Sequence, residues 1–248
     1  AAATIAGWLV TLALGVVSDN RVSALIAGAA LASIVGLADD LRSLTPAVKF
    51  AGQLASTAVV FAWWVPTVPW APSWAIVVVA GGWLLLYTNQ FNFMDGADGL
   101  AGGVALITAV ALGGLAWSGD RPHFAIVALV VAAGAAGFLW HNFPPASIFM
   151  GDAGSHFLGF SLAALVMFVA EGGVPVVIAL APLAPFLIDS SVTLVRRLIR
   201  GEQIWRAHRS HMYQRLLIAG WSARQVAFAY YGWTAWAGLR GWAMMGTQ

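Results

Sequence analysis

The feature that most constrains this chain is a succession of nine long apolar stretches joined by short connections. A helix that crosses the hydrocarbon core of a bilayer needs about 20 mostly apolar residues. The stretches run approximately over residues 2–17, 22–38, 46–65, 74–89, 99–117, 122–141, 155–170, 174–195 and 222–240. The longest connection, residues 196–221, is too short to form a soluble domain. We therefore predict one all-α polytopic membrane domain over residues 1–248.

Composition excludes an ordinary soluble protein. Hydrophobic residues make up 60% of the 248 positions and charged residues only 9%, whereas a soluble domain carries about 25% charged residues. The chain has no Cys, which excludes disulfides, thiol nucleophiles and Cys-ligated metal centres. In a membrane protein the basic residues mainly indicate which connections are cytoplasmic. The formal net charge of +2 is therefore interpreted as a sign of topology, and we expect no nucleic-acid partner.

The basic residues divide unequally between the two sides that alternating spans create. One side has three, namely Arg21, Arg121 and Arg240. The other side has nine, namely Arg42, Lys49, Arg196, Arg197, Arg200, Arg206, Arg209, Arg215 and Arg224. Because cytoplasmic connections carry the excess of Lys and Arg, the second side is predicted to be cytoplasmic. Its connections are residues 39–45, 90–98, 142–154 and 196–221.

Five carboxylates from three of these connections share the predicted cytoplasmic side. They are Asp39, Asp40, Asp95, Asp98 and Asp152. An acidic pair at the C-terminal end of a helix opposes the helix dipole, so Asp39 and Asp40 require a positive partner nearby. Lys49 follows soon after Thr45-Pro46, a pattern typical of an N-cap with Pro at the first helical position. The alternative is that the acidic pair is only an interfacial helix end.

The second acidic connection combines periodic polar side chains with glycine. Asn92, Asp95 and Asp98 recur every three residues, so a helical or turn-like backbone points them in related directions. Gly96 and Gly99 permit close approach of the backbone to a ligand. The alternative interpretation is a pair of ordinary Asp-Gly turns.

The third connection contains Asn142, Phe149, Gly151 and Asp152. Asp152 is predicted at or just before a helix N-terminus, where its carboxylate could carry a magnesium ion that bridges to phosphate. The competing interpretation is that Asp152 is a simple N-cap.

The fourth connection contains six Arg together with His208 and His211, which are three residues apart. Arginine forks and histidines beside carboxylates suit a phosphate-bearing substrate. The alternative is that the arginines only set topology and contact lipid head groups. His156 is interpreted as interfacial. Asp189 is an intramembrane carboxylate and therefore a candidate site, with no partner identifiable beyond Arg196 two turns away.

Four rival classes fit the residues less well. A secondary transporter places its charges near the bilayer midplane, whereas only Asp189 is predicted to lie deep; transport is nevertheless retained as the alternative function. A scaffold protein gives no reason for five carboxylates on one side. A CDP-alcohol phosphotransferase would show several closely spaced Asp in one helix, and no such single block is found. Nucleotide hydrolysis of the Walker A type is excluded because Lys49 lacks the preceding glycines.

Taken together, the acidic motifs resemble those of the polyprenyl-phosphate N-acetylhexosamine-1-phosphate transferase family. The resemblance covers nearly the whole chain. It rests on Gly36-Leu37-Ala38-Asp39-Asp40 with Lys49 and Gln53, on Asn92-Phe93-Met94-Asp95-Gly96-Ala97-Asp98-Gly99-Leu100, and on Phe149-Met150-Gly151-Asp152-Ala153-Gly154-Ser155. Three such motifs in this order are highly specific.

The resemblance implies transfer of a sugar-1-phosphate from a UDP-sugar to polyprenyl (undecaprenyl) phosphate with release of UMP. It implies Mg²⁺, with Mn²⁺ as an alternative ion, and a multi-pass protein of the bacterial inner membrane that contacts membrane lipids; a homodimer is left open. Implied catalytic residues are Asp39, Asp40, Lys49, His208 and His211. Implied substrate-binding residues are Asn92, Asp95, Asp98, Asn142, Phe149, Gly151 and Arg209, and the implied metal ligand is Asp152.

The chain departs from the family pattern in two places, the histidine loop and the N-terminal part. The family's triple-His loop appears here as His208-Arg209-Ser210-His211, which resembles the O-antigen-initiating subgroup and favours fucosamine- or quinovosamine-type donors, with GlcNAc left open. The family normally has ten or eleven spans, and this chain begins at Ala1 within an apolar stretch without an initiator Met. We therefore expect an N-terminally incomplete piece, and its activity by itself is left open.

Overall fold

The computed structural model describes residues 1–16, 19–66, 71–203 and 208–245. Within these ranges the secondary structure is helical and contains no strand, which confirms the all-α prediction. The helices are α1 Ala2–Ala13, α2 Asn20–Arg42, α3 Pro46–Trp63, α4 Ser73–Met94, α5 Leu100–Ser118, α6 Pro122–Asn142, α7 Gly151–Glu171, α8 Val176–Leu180, α9 Ala184–Ile199, α10 Met212–Ile218 and α11 Ala223–Met245.

Six segments of the described chain are long and apolar enough to cross a membrane. They are α2, α4, α5, α6, α7 and the segment Val176–Ile199, which contains α8 and α9. The protein is therefore an integral membrane helix bundle. The other three predicted spans also form helices but fall outside this set: α1 has only 12 residues, and polar residues such as Lys49 and Arg240 dilute the apolar character of α3 and α11.

The eighth predicted span is divided rather than continuous. A short 3₁₀ turn, Ala181–Leu183, separates α8 from α9. Pro182 lies in this turn and Pro185 is the second residue of α9. Because proline has no N–H to donate to the preceding turn, two prolines so close together interrupt the α-helical hydrogen bonds at this point.

Helix α7 is the centre of the bundle and is buried along most of its length. It packs against α2 and α4, with α5 and α6 also in contact. Small residues let these backbones come close: a Cβ on Gly28 of α2 would meet Phe160, and a Cβ on Gly159 of α7 would lie 3.0 Å from the Cα of Thr88. Close packing of this kind is the main source of helix association inside a membrane.

The antiparallel pair α2 and α7 separates two charged ends of the bundle. At one end, Arg21 of α2 contacts Glu171 of α7 at 2.8 Å and Asp19 at 2.6 Å. At the other end, Ser33 of α2 donates a hydrogen bond to the carbonyl of Ala153 at 3.0 Å. The C-terminal end of α2, which carries Asp39 and Asp40, therefore meets the N-terminal end of α7.

Several helices extend further than the hydropathy pattern predicts. Helix α2 continues to Arg42, α4 continues to Met94, and α7 begins at Gly151. The acidic residues that the sequence assigns to loops are consequently fixed on or beside helix ends. Thr45 is the N-cap of α3 with Pro46 at the first helical position, as predicted, and its side chain accepts a hydrogen bond from the amide of Val48.

Candidate active site

Asp39 and Lys49 form an ion pair that joins α2 to α3. Lys49 Nζ lies 2.8 Å from Asp39 Oδ2 and 3.6 Å from Asp152 Oδ2. The other Asp39 oxygen accepts a hydrogen bond from the amide of Leu44 at 2.6 Å, which fixes the turn between the helices. The single lysine of the chain is thereby held between carboxylates of α2 and α7.

Asp40 caps helix α7 from the end of α2. Its two carboxylate oxygens accept hydrogen bonds from the amides of Asp152 at 2.9 Å and Ala153 at 3.0 Å. Gly151 precedes these amides with φ +63°, and a Cβ there would lie 2.7 Å from Asp40 Oδ2. Glycine is therefore required at 151 both by the backbone conformation and by the approach of Asp40.

These contacts supply the positive partners that the acidic pair requires. Asp39 has the ammonium group of Lys49, and Asp40 has the free amides at the N-terminus of α7, where the helix dipole favours a negative charge. Each carboxylate is unfavourable at the end of its own helix and is stabilised by a different element of the chain. The expectation of nearby positive partners is confirmed.

Asp152 lies in the first turn of α7 but does not cap that helix. The N-cap position is Met150, so the alternative interpretation of Asp152 as an N-cap is wrong. Its Oδ1 accepts a hydrogen bond from Asn92 Nδ2 at 2.9 Å, and the same amide nitrogen lies 2.9 Å from Ser155 Oγ. Asn92 of α4 thus sets the direction of the Asp152 carboxylate.

Asp95 adds a fourth carboxyl group to this region. It follows the last residue of α4. Burial, followed by repulsion from the carboxylates of Asp152 and Asp40, raises the pKa of Asp95 to about 7. Several carboxyl groups that repel one another in a partly buried place favour the binding of a cation.

The oxygen-rich donor set is compatible with a divalent metal ion. In the described ranges, three or more Asp, Glu or His side chains do not converge closely enough to enclose a metal. Mg²⁺ is commonly bound by one or two carboxylates together with water and substrate phosphates. Asp152, with Asp95 nearby, fits such an open site better than a closed protein cage.

Asp98 and Asn142 connect the second and third acidic connections. Asp98 Oδ2 accepts a hydrogen bond from the amide of Ala146 at 3.1 Å. Asn142 is buried; its Oδ1 accepts from the amide of Gly99 at 2.9 Å and its Nδ2 donates to the carbonyl of Ile148 at 2.9 Å. These side chains hold the two connections together beside the carboxylates.

A cavity of about 720 Å³ leads from this polar region along the helices. Lys49, Asn92, His208 and His211 line its polar part. Its apolar part is lined by residues of α3, α4 and α9, namely Phe50, Gly82, Leu85, Leu86 and Leu194. The cavity therefore brings charged groups and an apolar channel between helices into one continuous space.

The two histidines of the fourth connection lie beside each other at the cavity. Their ring centroids are 4.8 Å apart, and His211 is buried. Phe149 is 79% exposed and Arg209 is also exposed; neither lines this cavity. Arg206 lies outside the described residues.

Sequence reasoning missed a polar cluster in the cavity wall. Gln53 and Asn89 exchange hydrogen bonds of 3.2 and 2.7 Å, and Gln53 Nε2 lies 3.5 Å from His156 Nε2. His156 is buried and lines the cavity, a position that its interpretation as interfacial did not predict. The spacing contained the signal, because Gln53 follows Lys49 by four residues and His156 follows Asp152 by four, which places each on the same helix face.

Fold and site together define a polytopic membrane protein that gathers carboxylates from three connections beside a cavity. Residues 22–170 match the family model of glycosyl transferase family 4. The chain belongs to this family, which confirms the resemblance seen in its motifs.

Three relatives illustrate the similarity. The chain is 32% identical over 232 residues to a probable undecaprenyl-phosphate N-acetylglucosaminyl 1-phosphate transferase of Bacillus subtilis, covering 89% of this chain and 65% of the relative. It is 36% identical to a decaprenyl-phosphate N-acetylglucosaminephosphotransferase of Mycobacterium tuberculosis, covering 88% and 62%. It is 31% identical to a phospho-N-acetylmuramoyl-pentapeptide-transferase of Listeria welshimeri, covering 64% and 48%. The chain thus spans about two thirds of the length of the first two relatives.

Proposed function

We propose that the protein, in its full length, transfers N-acetylglucosamine-1-phosphate from UDP-GlcNAc to a polyprenyl phosphate and releases UMP. The observation that carries the proposal is the cavity, which joins Lys49 and Asn92 to apolar residues such as Leu86 between α3, α4 and α9. A water-soluble nucleotide and a membrane-bound lipid phosphate can meet only where such a polar site borders the bilayer. The names of the relatives from Bacillus subtilis and Mycobacterium tuberculosis support GlcNAc as the donor sugar.

The reaction is a phosphoryl transfer between two anions. An oxygen of the acceptor phosphate attacks the phosphorus that carries the sugar, a new P–O–P bond forms, and the bond to the bridging oxygen of the nucleotide breaks, so that UMP leaves. Repulsion between the reactants must be reduced and charge on the moving phosphoryl group stabilised. Lys49 is placed to do both, because it lies at the cavity between the carboxylates of Asp39 and Asp152.

We assign the principal Mg²⁺ contact to Asp152, with Asp95 as the neighbouring carboxyl group and Mn²⁺ as an alternative ion. When bound, such an ion supplies Lewis-acid stabilisation of phosphoryl oxygens. Asn92 orients the Asp152 carboxylate. Asp40 fixes the start of α7, on which Asp152 is carried.

The roles of the other site residues are proposed from their positions in the structure. Asp39 orients Lys49 and is the carboxylate that positions the acceptor phosphate or accepts its proton. Asp98 and Asn142 shape the side of the site that would take the nucleotide, where the exposed ring of Phe149 is available for stacking on the base. His208, Arg209 and His211 are proposed to face the diphosphate. The positive-inside rule places all of these at the cytoplasmic face of the bacterial inner membrane.

The proposal is tested by incubating membranes that contain the full-length protein with undecaprenyl phosphate and a panel of UDP-sugars. The panel includes UDP-GlcNAc and fucosamine- and quinovosamine-type donors, and the lipid product is identified by mass. Equal amounts of lipid-linked sugar diphosphate and UMP are expected with UDP-GlcNAc. Product from only a deoxy-amino sugar would correct the donor; solute uptake into proteoliposomes without a covalent product would establish a transporter instead.

Removal of divalent ions is expected to lower transfer by at least about 100-fold, since the metal stabilises several kcal/mol of transition-state charge. The measurement is radiolabelled sugar-phosphate transfer in EDTA, followed by titration with Mg²⁺ or Mn²⁺. Restoration by either ion at constant ionic strength supports the metal role. Full activity in EDTA after washing would contradict it.

Gly82→Phe is expected to discriminate between acceptor chains. Gly82 lines the apolar part of the cavity, and a Cβ there meets no atom within 4 Å, so a phenyl ring can enter the space that the polyprenyl chain would occupy. We expect the KM for a C55 acceptor to rise by about tenfold or more, while a short-chain acceptor is little affected.

The matched control is Gly114→Phe. Gly114 is exposed on α5, has no atom within 4 Å of an added Cβ, and does not line the cavity. Equal effects of the two variants, or equal effects of Gly82→Phe on long and short acceptors, would argue against this path for the lipid.

A further inference from the structure

The intramembrane carboxylate Asp189 has partners that its sequence position does not reveal. It lies in α9 with only 3% of its surface exposed. Its oxygens accept hydrogen bonds from the amides of Met212 at 2.7 Å and Tyr213 at 3.1 Å, and from the hydroxyl of Tyr230 at 2.6 Å. Arg196, the only neighbour suggested by sequence, is not among these contacts.

The Asp189 carboxylate also lies beside His211, one of the histidines that line the cavity. His211 Nδ1 is 3.5 Å from Asp189 Oδ1, and the His211 ring is buried and lines the cavity. Among the described residues this buried nitrogen makes no hydrogen bond, and Asp189 Oδ1 is the carboxylate oxygen beside it. A catalytic hydrogen bond is often long in the absence of substrate and shortens when the substrate binds.

The segment held by Asp189 also contacts the loop that carries Asp95. Tyr213 Oη donates a hydrogen bond to the carbonyl of Phe93 at 3.2 Å, and a Cβ on Gly96 would overlap that hydroxyl. Asp189 therefore anchors a segment that contributes His211 to the cavity and packs against the acidic connection.

We propose that Asp189 is a positioning residue for His211. Its carboxylate holds the proton of the imidazole on Nδ1, which leaves Nε2 as the ring nitrogen available to the diphosphate of the nucleotide donor. When both ring nitrogens carry a proton, Nδ1–H donates to Asp189 and Nε2–H donates to an anionic oxygen of the diphosphate. This inference rests on the proposed transfer reaction and deepens it, because it assigns a role to a residue remote from the acidic motifs.

The test is a double-mutant cycle in the full-length protein with Asp189→Asn and His211→Ala. Asparagine keeps the volume and one acceptor oxygen but loses the charge and the means to fix the imidazole proton. If Asp189 acts through His211, Asp189→Asn lowers kcat by about 30-fold or more in the wild-type background and by no more than about twofold in the His211→Ala background. The KM for polyprenyl phosphate stays within about threefold in both.

Two controls separate positioning from loss of structure. Tyr230→Phe removes one hydrogen bond to Asp189 but leaves the contact with His211, so it is expected to lower the melting temperature with little change in kcat. In a His208→Ala background, Asp189→Asn is expected to retain its full effect, because the structure shows no contact between His208 and Asp189 among the described residues.

The experiment distinguishes failure of the positioning role from failure of the proposed function. A wild-type protein without transfer activity overturns the proposed function. A wild-type protein that transfers sugar phosphate, with additive effects in the Asp189–His211 cycle or with full activity of Asp189→Asn, overturns the positioning role alone. If Asp189→Asn does not fold, the cycle is repeated with Asp189→Glu, which keeps the charge and displaces it by one methylene; additivity there overturns the proposal equally.

Discussion

Asp152→Asn is expected to lower kcat by about 10³-fold or more, and Asp39→Asn by a smaller factor of about 10². Asparagine at position 152 can still accept the hydrogen bond from Asn92, but it cannot supply a charged ligand to the divalent ion that we propose there, and such an ion contributes several kcal/mol. At position 39 the loss is smaller, because phosphate is already largely ionised at neutral pH and Lys49 remains near Asp152. Radiolabelled sugar-phosphate transfer in membranes of the full-length protein measures both.

The relative order of the two variants is what tests the assignment. Equal amounts of folded protein, measured by size exclusion in detergent, make the two rates comparable. Substantial turnover by Asp152→Asn, for instance above a tenth of wild type, would remove Asp152 as the principal metal contact. A larger loss in Asp39→Asn than in Asp152→Asn would move the main role to Asp39 and Lys49.

Gly36→Ala is expected to lower activity by about 100-fold although it adds only one methyl group. A Cβ on Gly36 would overlap the backbone carbonyl of Asp152 and lie 2.6 Å from the amide nitrogen of Ala153. Backbone atoms cannot rotate away, so α2 and α7 must separate at this end. Asp40 would then lose its contacts with the amides of α7, and a displacement of about 1 Å at a catalytic group can cost about 100-fold in rate.

Gly114→Ala is the matched control, since the added methyl group has nothing within 4 Å and alanine favours helix over glycine. It should retain wild-type activity and stability. The Gly36→Ala protein should also lose thermal stability, since close packing holds these helices together. A Gly36→Ala protein with normal kcat would show that the α2–α7 contact does not position Asp152 for catalysis.

The sequence predicted the class of fold and most of the central site because both depend on local patterns. Apolar length identified the membrane segments, and the alternation of the predicted spans put Asp39, Asp95 and Asp152 on one side. The contacts among Asp40, Asn92, Lys49 and α7 confirm that the three acidic motifs converge. Membership of glycosyl transferase family 4 confirms the family that those motifs indicated.

What the sequence could not predict depends on contacts between distant segments. Asp40 looked like an interfacial helix end, yet it caps a helix that begins more than 100 residues later. Asp189 had no identifiable partner because its contacts come from α10 and α11. The sequence predicted one span where the structure has α8, a turn and α9. Pro182 and Pro185 lie within a stretch that remains apolar overall, so hydropathy does not reveal the turn.

The charged groups at both ends of the α2–α7 pair fix how deep the protein sits in the bilayer. From Asn20 to Asp40 an α-helix rises about 30 Å, which equals the thickness of the hydrocarbon core. With Arg21 and Glu171 held at the opposite boundary, the protein cannot shift toward either leaflet without drawing a charge into hydrocarbon. Asp40 and its neighbours therefore stay level with the lipid phosphates, so the lipid phosphate that we propose as acceptor could reach Asp40 by diffusing within its own leaflet, without leaving the membrane.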